Sequence, residues 1–471
     1  MKCREIEDMV LRRSTFAWIP GLLLVAPLAC GGGKESDASG STTGAVTLTA
    51  ASAESTEGVS ATGGSDPSAT GGASAMSSPD STADDGPGMG GDWKFDLGAI
   101  PDAPGLPCGG KEVDESYIWV PTTSAGAVSK VDTRTITEVA TYYVGPNGAA
   151  ESSSRTAVSA DGRFVVVNNR GTGRTTVVAA SMADCNGNNT SQSGGDLLPW
   201  GTDDCVLWST THADWGGAMQ QGPRGVTWEV GELNPATCTY DDQKFWIGYL
   251  SAGGDAHIKK MDGTTGNVEE DLLVPGWDGQ GYAPYGAALD PQNRPWFTGL
   301  RGELMRVNTD NNPIDVTRIT QPANIQSYGM TVDPDGNPWM AGCSGPVSTY
   351  DVNIQDWVSV PGTSGCHRGM AIDHDFHVWV ALNGPCAIVE IDGLTRTLVA
   401  THNLAQCSTP IGVSVDVDGF VWLVDQGGWA WKIDPLDVPA MQQILLPGDH
   451  YVYSDMTGGQ IASVSGGVPS G

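Results

Sequence analysis

The chain of 471 residues has a formal net charge of −31, from 55 acidic residues against 24 lysines and arginines. A field of this sign repels nucleic-acid phosphates and anionic lipid head groups, so it argues against nucleic acid as a partner and mainly favours solubility. Only 17% of the residues are charged, whereas 64 Gly, 29 Pro and 16 Trp favour an all-β protein over a helical one.

The first predicted element is an export signal over residues 1–29. Two arginines precede a short apolar run that ends in small residues before Cys30, the layout of a signal peptide rather than of a membrane-spanning helix. Leu28-Ala29-Cys30-Gly31 resembles the lipobox of bacterial lipoproteins, with Pro27 at a position where leucine is usual. The resemblance implies lipidation of Cys30 and attachment at the outer membrane or cell surface by lipid alone. Ordinary cleavage, with a periplasmic or secreted product, is the alternative.

Residues 30–92 are predicted to form a disordered spacer. They consist largely of Gly, Ser, Thr, Ala and Asp, with almost no large apolar side chain. Such a segment cannot bury enough surface to offset the entropy lost on ordering. We expect the folded domain to span residues 93–465 and a disordered tail to follow over 466–471.

Four segments of the folded domain align without gaps. In each, a short apolar strand begins at a glycine, an aspartate follows four residues later, and a second strand holds a tryptophan. The repeat glycines are Gly286, Gly329, Gly369 and Gly412, and the tryptophans are Trp296, Trp339, Trp379 and Trp422. Successive copies are 43, 40 and 43 residues apart, a period typical of propeller blades. Asp333-Pro-Asp335-Gly336 is a hairpin turn in this interpretation, since no acidic residue closes a calcium loop.

Two degraded copies and the two ends of the domain complete the repeat count. The degraded copies surround residues 155–167 and 224–247. Residues 117–141 contain three strands of a unit that lacks its first strand, and residues 451–457 supply a first strand without the rest. Pairing them closes the ring and removes open sheet edges. The sequence therefore predicts an all-β, seven-bladed β-propeller with four-stranded blades.

The Gly-x-x-x-Asp-x-x-Gly-x-x-Trp pattern resembles that of the streptogramin B lyase (virginiamycin B lyase) family and the related NHL-type propellers, over about residues 110–462. The resemblance implies the propeller fold and makes a carbon–oxygen lyase, with a histidine base and glutamate-held magnesium, the alternative function. Here no glutamate follows the repeat tryptophans, and Arg368 stands at the base position with His367 displaced by one residue. We therefore expect no catalytic residue, no bound metal and no cofactor.

Eight cysteines remain when Cys3 and Cys30 in the signal region are set aside. They are Cys108, Cys185, Cys205, Cys238, Cys343, Cys366, Cys386 and Cys407. An even number in an exported protein predicts four disulfides, and the absence of a Cys-x-x-Cys pair argues against zinc. The sequence leaves the connectivity open; the expected pairs are Cys185–Cys205, Cys343–Cys366 and Cys386–Cys407.

The predicted binding site is one mouth of the central channel, where the innermost strands of the blades begin. Its candidate residues lie just before or beside the repeat glycines: Arg155, Arg224, Tyr285, Tyr328, His367, Arg368 and Asp455. Arginines and tyrosines that converge on one rim suit a small anionic or aromatic ligand. A glycan or a protein is an alternative partner, and packing of these side chains within the blades is the structural alternative. The sequence thus favours a tethered binding propeller without catalysis.

Overall fold

The computed structural model describes residues 115–237 and 239–465. The predicted signal segment 1–29, the lipidation site Cys30, the spacer 30–92, the tail 466–471, and Cys108 and Cys238 lie outside the described residues. The first described strand begins at Tyr117, within the domain expected over 93–465. In the described part of the chain, no helix has the length and hydropathy needed to span a membrane.

Seven antiparallel blades follow one another along the chain. Blade 1 contains β1 (Tyr117–Thr122), β2 (Ala127–Asp132) and β3 (Thr137–Tyr143). Blade 2 contains β4 (Ser153–Val158), β5 (Phe164–Asn169), β6 (Arg174–Ala179) and β7 (Val206–Thr211). Blade 3 contains β8 (Val226–Trp228), a hairpin of β9 (Glu232–Asn234) and β10 (Thr239–Asp241), then β11 (Lys244–Leu250), β12 (Ala256–Asp262) and β13 (Val268–Val274).

The remaining four blades contain the gap-free repeats. Blade 4 contains β14 (Gly286–Leu289), β15 (Pro295–Thr298), β16 (Glu303–Asn308) and β17 (Asp315–Thr320). Blade 5 contains β18 (Gly329–Val332), β19 (Pro338–Ala341), β21 (Ser348–Asp351) and β22 (Asp356–Ser359), with β20 (Cys343–Gly345) between β19 and β21. Blade 6 contains β23 (Gly365–Ile372), β24 (His377–Asn383), β25 (Cys386–Asp392) and β26 (Thr397–Asn403). Blade 7 contains β27 (Pro410–Val415), β28 (Val421–Asp425), β29 (Trp429–Ile433) and β30 (Gln442–Leu445), and α1 (Gly459–Ser465) follows it.

The hydrophobic core is divided among the interfaces between neighbouring blades. Seven clusters of buried apolar side chains occur in the described residues, and each draws on two adjacent blades. The cluster between blades 7 and 1 joins Trp422 to Ile118. Because this seventh interface exists, the ring is closed, as the repeat count predicted.

The repeat aspartates and tryptophans form one hydrogen bond in each regular blade. The indole Nε1 of Trp339 donates to Asp333 at 2.9 Å, and Trp422 donates to Asp416 at 2.8 Å. The other carboxylate oxygen of Asp333 accepts backbone N–H groups of the turn, including that of Asn337 at 2.8 Å. These bonds occupy the carboxylate within the turn, which confirms the hairpin interpretation of this motif.

The repeat glycines lie where inner strands of neighbouring blades approach most closely. A Cβ on Gly329 would lie 2.3 Å from the carbonyl oxygen of Arg368, and one on Gly369 would lie 2.5 Å from that of Ile411. Both contacts are with backbone, which cannot move aside as a flexible side chain does. Glycine is therefore required by the packing of strands around the channel.

Ring closure relies on the closure segment, residues 449–457, which runs beside β1 without forming a regular ladder. Thr123 N donates to Asp449 O at 2.8 Å, and Trp119 N donates to Met456 O at 2.9 Å. Side chains bind much of the remaining backbone, as where Met456 N donates to Ser414 Oγ at 2.9 Å. The predicted first strand is thus present as an extended segment tied to both neighbouring blades.

Three disulfides are formed by described residues, and all three were expected pairs: Cys185–Cys205, Cys343–Cys366 and Cys386–Cys407. The second pair links blade 5 to blade 6, because β20 leaves blade 5 to pair with β23 of blade 6. The first pair closes the insertion of blade 2, whose Gly194 N–H donates to Glu138 O on β3 at 3.1 Å. Disulfides of this number indicate an oxidising compartment.

Candidate functional site

The innermost strands of blades 2 to 7 run in one direction, so their first residues meet at one end of the channel. The structure brings five of the predicted site residues together there and adds four that the sequence analysis missed. The resulting arginine–tyrosine cluster contains Arg155, Arg170, Arg224, Arg368, Tyr282, Tyr285, Tyr328, Tyr451 and Tyr453.

Each guanidinium of the cluster lies against a tyrosine ring. The centre of the Arg170 guanidinium is 4.0 Å from the ring centroid of Tyr451. The corresponding distance is 4.3 Å from Arg368 to Tyr328 and 5.1 Å from Arg224 to Tyr285. Cation–π attraction at these distances holds the charged groups in place without a carboxylate.

Arg155 is fully buried and does not line the cavity described below. Its guanidinium is 4.4 Å from the ring of Tyr453, and its Nε donates to the carbonyl oxygen of Tyr285 at 3.2 Å. The hydroxyls of Tyr285 and Tyr451 share a hydrogen bond of 2.8 Å. The closure segment therefore contributes two rings to the site, which links the site to ring closure.

The positive charge of the cluster has no acidic partner among the residues that the structure describes. None of the ion pairs found there includes Arg155, Arg170, Arg224 or Arg368. Four buried guanidinium nitrogens also have no hydrogen-bond acceptor: Arg155 Nη2, Arg224 Nε and Nη1, and Arg368 Nε. An unpaired buried charge is costly, so such groups normally have partners. The arrangement is that of a site prepared for an anion.

Burial and charge repulsion shift the pKa values inside the cluster. Burial lowers the pKa of Arg224 to about 10, and repulsion by Arg170 and Arg155 adds to this decrease. Burial acts to raise the pKa of Tyr451, but Arg155 and Arg170 outweigh it and lower that pKa to about 8. Burial and the neighbouring Tyr451 raise the pKa of Tyr285. Tyr451 is therefore the group whose charge changes closest to neutral pH.

A cavity of about 180 Å³ opens inside the cluster. It is lined by Arg170, Arg224, Tyr282, Tyr285, Tyr328 and Tyr451, together with Met219, Gln220 and Leu300. Arg224 is only 2% exposed yet lines this space, and two of its nitrogens are unpaired. Arg224 is thus the most direct contact available to a bound anion.

Two predicted site residues lie elsewhere. His367 is buried on β23, with its ring beside Gly365, and burial lowers its pKa to about 4. The neighbouring Arg368 is the residue that reaches the cluster, with its guanidinium 4.3 Å from the ring of Tyr328. Asp455 lies farther along the closure segment, where its carboxylate accepts the N–H groups of Thr457 at 3.1 Å and Gly458 at 2.9 Å. It anchors the approach to α1 and does not contribute to the cluster.

The four missed residues carry weaker sequence signals. Arg170 follows β5, in a loop between the second and third strands of a blade, and such loops border the channel mouth. Tyr451 and Tyr453 alternate on the closure segment, so a period of two places both on one face. Tyr282 precedes Tyr285 by three residues in a loop and follows no repeat position. Only the first three could have been found from the repeat.

Among the described residues, Asp214, His257 and Asp271 are close enough together to share a metal ion. The ammonium of Lys259 already lies 3.3 Å from Asp214 and 3.4 Å from Asp271. His257 Nδ1 is 2.9 Å from Asp271. Lys259 and the Tyr249 hydroxyl, which donates to Asp214 at 2.7 Å, already satisfy these carboxylates. His257 and Asp271 lie on blade 3 and Asp214 on the connection from blade 2, and none of them lines the cavity. The grouping of Cys386, Cys407 and Asp425 is occupied by a disulfide.

Fold and site together define a seven-bladed β-propeller with a basic, aromatic cavity at one channel mouth. No protein-family model and no curated protein match the chain. Among solved structures it is similar to virginiamycin B lyase from Staphylococcus aureus, at 13% identity and a TM-score of 0.44, over 63% of this chain and 85% of that one. A streptogramin B lyase structure shows 18% identity and a TM-score of 0.47, over 66% and 87%. AztD from Citrobacter koseri shows 10% identity and a TM-score of 0.46, over 72% of this chain and 97% of that one. Similarity at these identities concerns the fold alone.

Proposed function

We propose that this protein is a binding propeller that holds a small anion in the cavity of the arginine–tyrosine cluster. The observation that carries the proposal is Arg224, which is buried, lines the cavity and has two unpaired nitrogens with no carboxylate nearby. Hydrogen bonds from a charged donor contribute about 1.5–3 kcal/mol each. An anion in the cavity gains such bonds and at the same time compensates a buried charge.

The tyrosines define the second property of the proposed ligand. Tyr282, Tyr285 and Tyr328 form an aromatic wall, with Tyr285 and Tyr328 in an edge contact of 5.7 Å between ring centroids. Met219 and Leu300 add apolar surface to the same cavity. A ligand with a flat or apolar part beside its acidic group therefore fits the lining better than a fully hydrated ion.

The proposal includes the location in which binding takes place. The lipobox-like sequence at Cys30 supports tethering of the propeller to a membrane by lipid, with the spacer 30–92 as the tether. The disulfides support an oxidising compartment outside the cytoplasm. The ligand is accordingly one that reaches the cell envelope or the medium.

The test is a titration of the purified protein with small carboxylates, sulfonates and sugar phosphates, followed by calorimetry. We expect at least one class to bind and raise the melting temperature, and we expect Arg224→Gln to weaken its binding by about tenfold or more. Arg306→Gln is the matched control, because Arg306 lies on β16 outside the cavity lining. Equal affinity in wild type and Arg224→Gln, or no anion bound at all, refutes the proposal.

A further inference from the structure

We propose that the cavity selects anions with two negative charges on a small scaffold over anions of the same shape with one charge. This inference rests on the proposed function and specifies its ligand class. It follows from the number of unpaired cationic groups, from their mutual repulsion and from the volume of the cavity.

The charge count of the empty site comes first. Four guanidiniums belong to the cluster, and none of them forms an ion pair with a described carboxylate. Tyr451 is hydrogen-bonded to Tyr285 and stacked on Arg170 inside the cluster. Its pKa of about 8 leaves its hydroxyl mostly neutral at pH 7, so it compensates little of this positive charge. A single bound negative charge leaves most of the positive charge uncompensated, whereas two charges reduce it by half.

The guanidiniums are also close enough to repel one another. Arg170 and Arg155 both lower the pKa of Arg224, and Arg170 adds to the burial that lowers the pKa of Arg155. Repulsion between like charges at a poorly solvated site is stronger than in water. A dianion placed among these groups relieves several repulsive pairs at once, and a monoanion relieves fewer.

The cavity limits the size of the ligand. A cavity of about 150 Å³ accommodates benzene, so the 180 Å³ found here fits a molecule of roughly ten non-hydrogen atoms or fewer. Arg170 and Arg224 line it beside different rings, Tyr451 and Tyr282 respectively. Two acidic groups on one small molecule, or one doubly charged oxyanion, can each face these two guanidiniums.

The experiment compares pairs of anions matched in shape and different in charge. Sulfate and perchlorate are both tetrahedral, and fumarate and crotonate share a flat, trans-unsaturated four-carbon chain. Calorimetry at pH 7 and low ionic strength, where surface screening is weak, gives the affinity of each. We expect the dianion of at least one pair to bind about tenfold or more tightly than its monoanion. The pair with the larger ratio distinguishes a compact oxyanion from a dicarboxylate.

Variants connect the charge preference to the site. Arg170→Gln removes one cavity-lining charge from a partly exposed position, and we expect it to reduce the dianion preference by about threefold or more. Arg306→Gln serves as the control that keeps the preference. Equal affinity within both pairs in wild-type protein overturns the inference and leaves anion binding intact. If none of the four anions binds, the inference fails, and the wider panel of carboxylates, sulfonates and sugar phosphates decides the proposed function separately.

Discussion

Anion binding should weaken as the pH rises from 7 to 9, because Tyr451 then supplies a competing negative charge. The arginines beside Tyr451 hold its pKa at about 8 in the empty site, below the ordinary value of 10. A bound anion neutralises those arginines and returns the pKa of the phenol toward its ordinary value. The anion therefore binds with uptake of a proton wherever the phenol is ionised in the free protein.

The size of this effect follows from the pKa. At pH 7 about one tenth of Tyr451 is ionised, and at pH 9 about nine tenths, so the affinity falls about tenfold, which corresponds to about 1.4 kcal/mol. The measurements should stop at pH 9, because the pKa of Arg224 is about 10 and Arg224 loses a growing share of its charge above pH 9. Sulfate is a suitable probe, since its own charge is constant over this range.

Calorimetry on wild type and Tyr451→Phe measures the prediction. The phenylalanine variant keeps the ring that stacks on Arg170 but has no titrating hydroxyl, so we expect its affinity for sulfate to be constant from pH 7 to 9. The absorbance of the phenolate near 295 nm in wild type should also decrease when sulfate is added at pH 9. A wild-type affinity that is unchanged over this range, or the same decline in Tyr451→Phe, refutes the reasoning.

The lowered pKa of Tyr451 also affects the free energy of unfolding, because it stabilises the folded state once the phenol is ionised. Its contribution is fully present above pH 10 and is lost as the pH falls through about 8. In the absence of anion, wild type should thus gain stability relative to Tyr451→Phe between pH 7 and 9. Chemical denaturation at the two pH values gives the difference directly.

Three further predictions concern anchorage, closure and the buried carboxyl near α1. Cys30→Ser should move the protein from the detergent-extracted membrane fraction to the soluble fraction, and unchanged partitioning would reject lipidation. Removal of residues 451–471 should produce an aggregating product, because it exposes β1 and removes apolar side chains from the cluster between blades 7 and 1; a soluble, cooperatively folding product would contradict the closure. Burial raises the pKa of Asp455 to about 6, so the free energy of unfolding should fall by about 2 kcal/mol as the pH rises from 4 to 6. Asp455→Asn should lack this decline in denaturant titrations, and a variant that keeps it would assign the effect to another group.

The blade count could be predicted because its signals are local and repeated. Asp333 and Trp339 are six residues apart, and their hydrogen bond recurs in each regular blade. The repeat glycine is different in kind, since Gly329 is required by a backbone contact with the next blade. Its periodic recurrence is visible in the sequence, but its physical reason is a contact between residues about 40 positions apart.

The site was only partly predictable, because β23 around His367 and the closure segment do not follow the regular pairing of a strand. Taking the position before each repeat glycine selected Arg224, Tyr285 and Tyr328, which precede their strands and which the structure brings together in the cluster. Between His367 and Met370 the pairing of β23 with β24 shifts register, and within this stretch it is Arg368 that reaches the cluster. Proximity to the repeat glycine in sequence was therefore a poor guide to the direction of the His367 side chain.

The closure segment shows most clearly what the sequence did not reveal. A strand advances about 3.3 Å per residue, so Asp455 lies roughly 13 Å along the segment from Tyr451. That distance carries it from the channel mouth to the end where α1 begins, although all three of Tyr451, Tyr453 and Asp455 have the same parity. The residues that close the ring thus also complete the cavity, because Tyr451 bonds to Tyr285 and Tyr453 stacks on Arg155. An anion that binds among these groups must consequently stabilise ring closure, and a closure segment that detaches must release the anion.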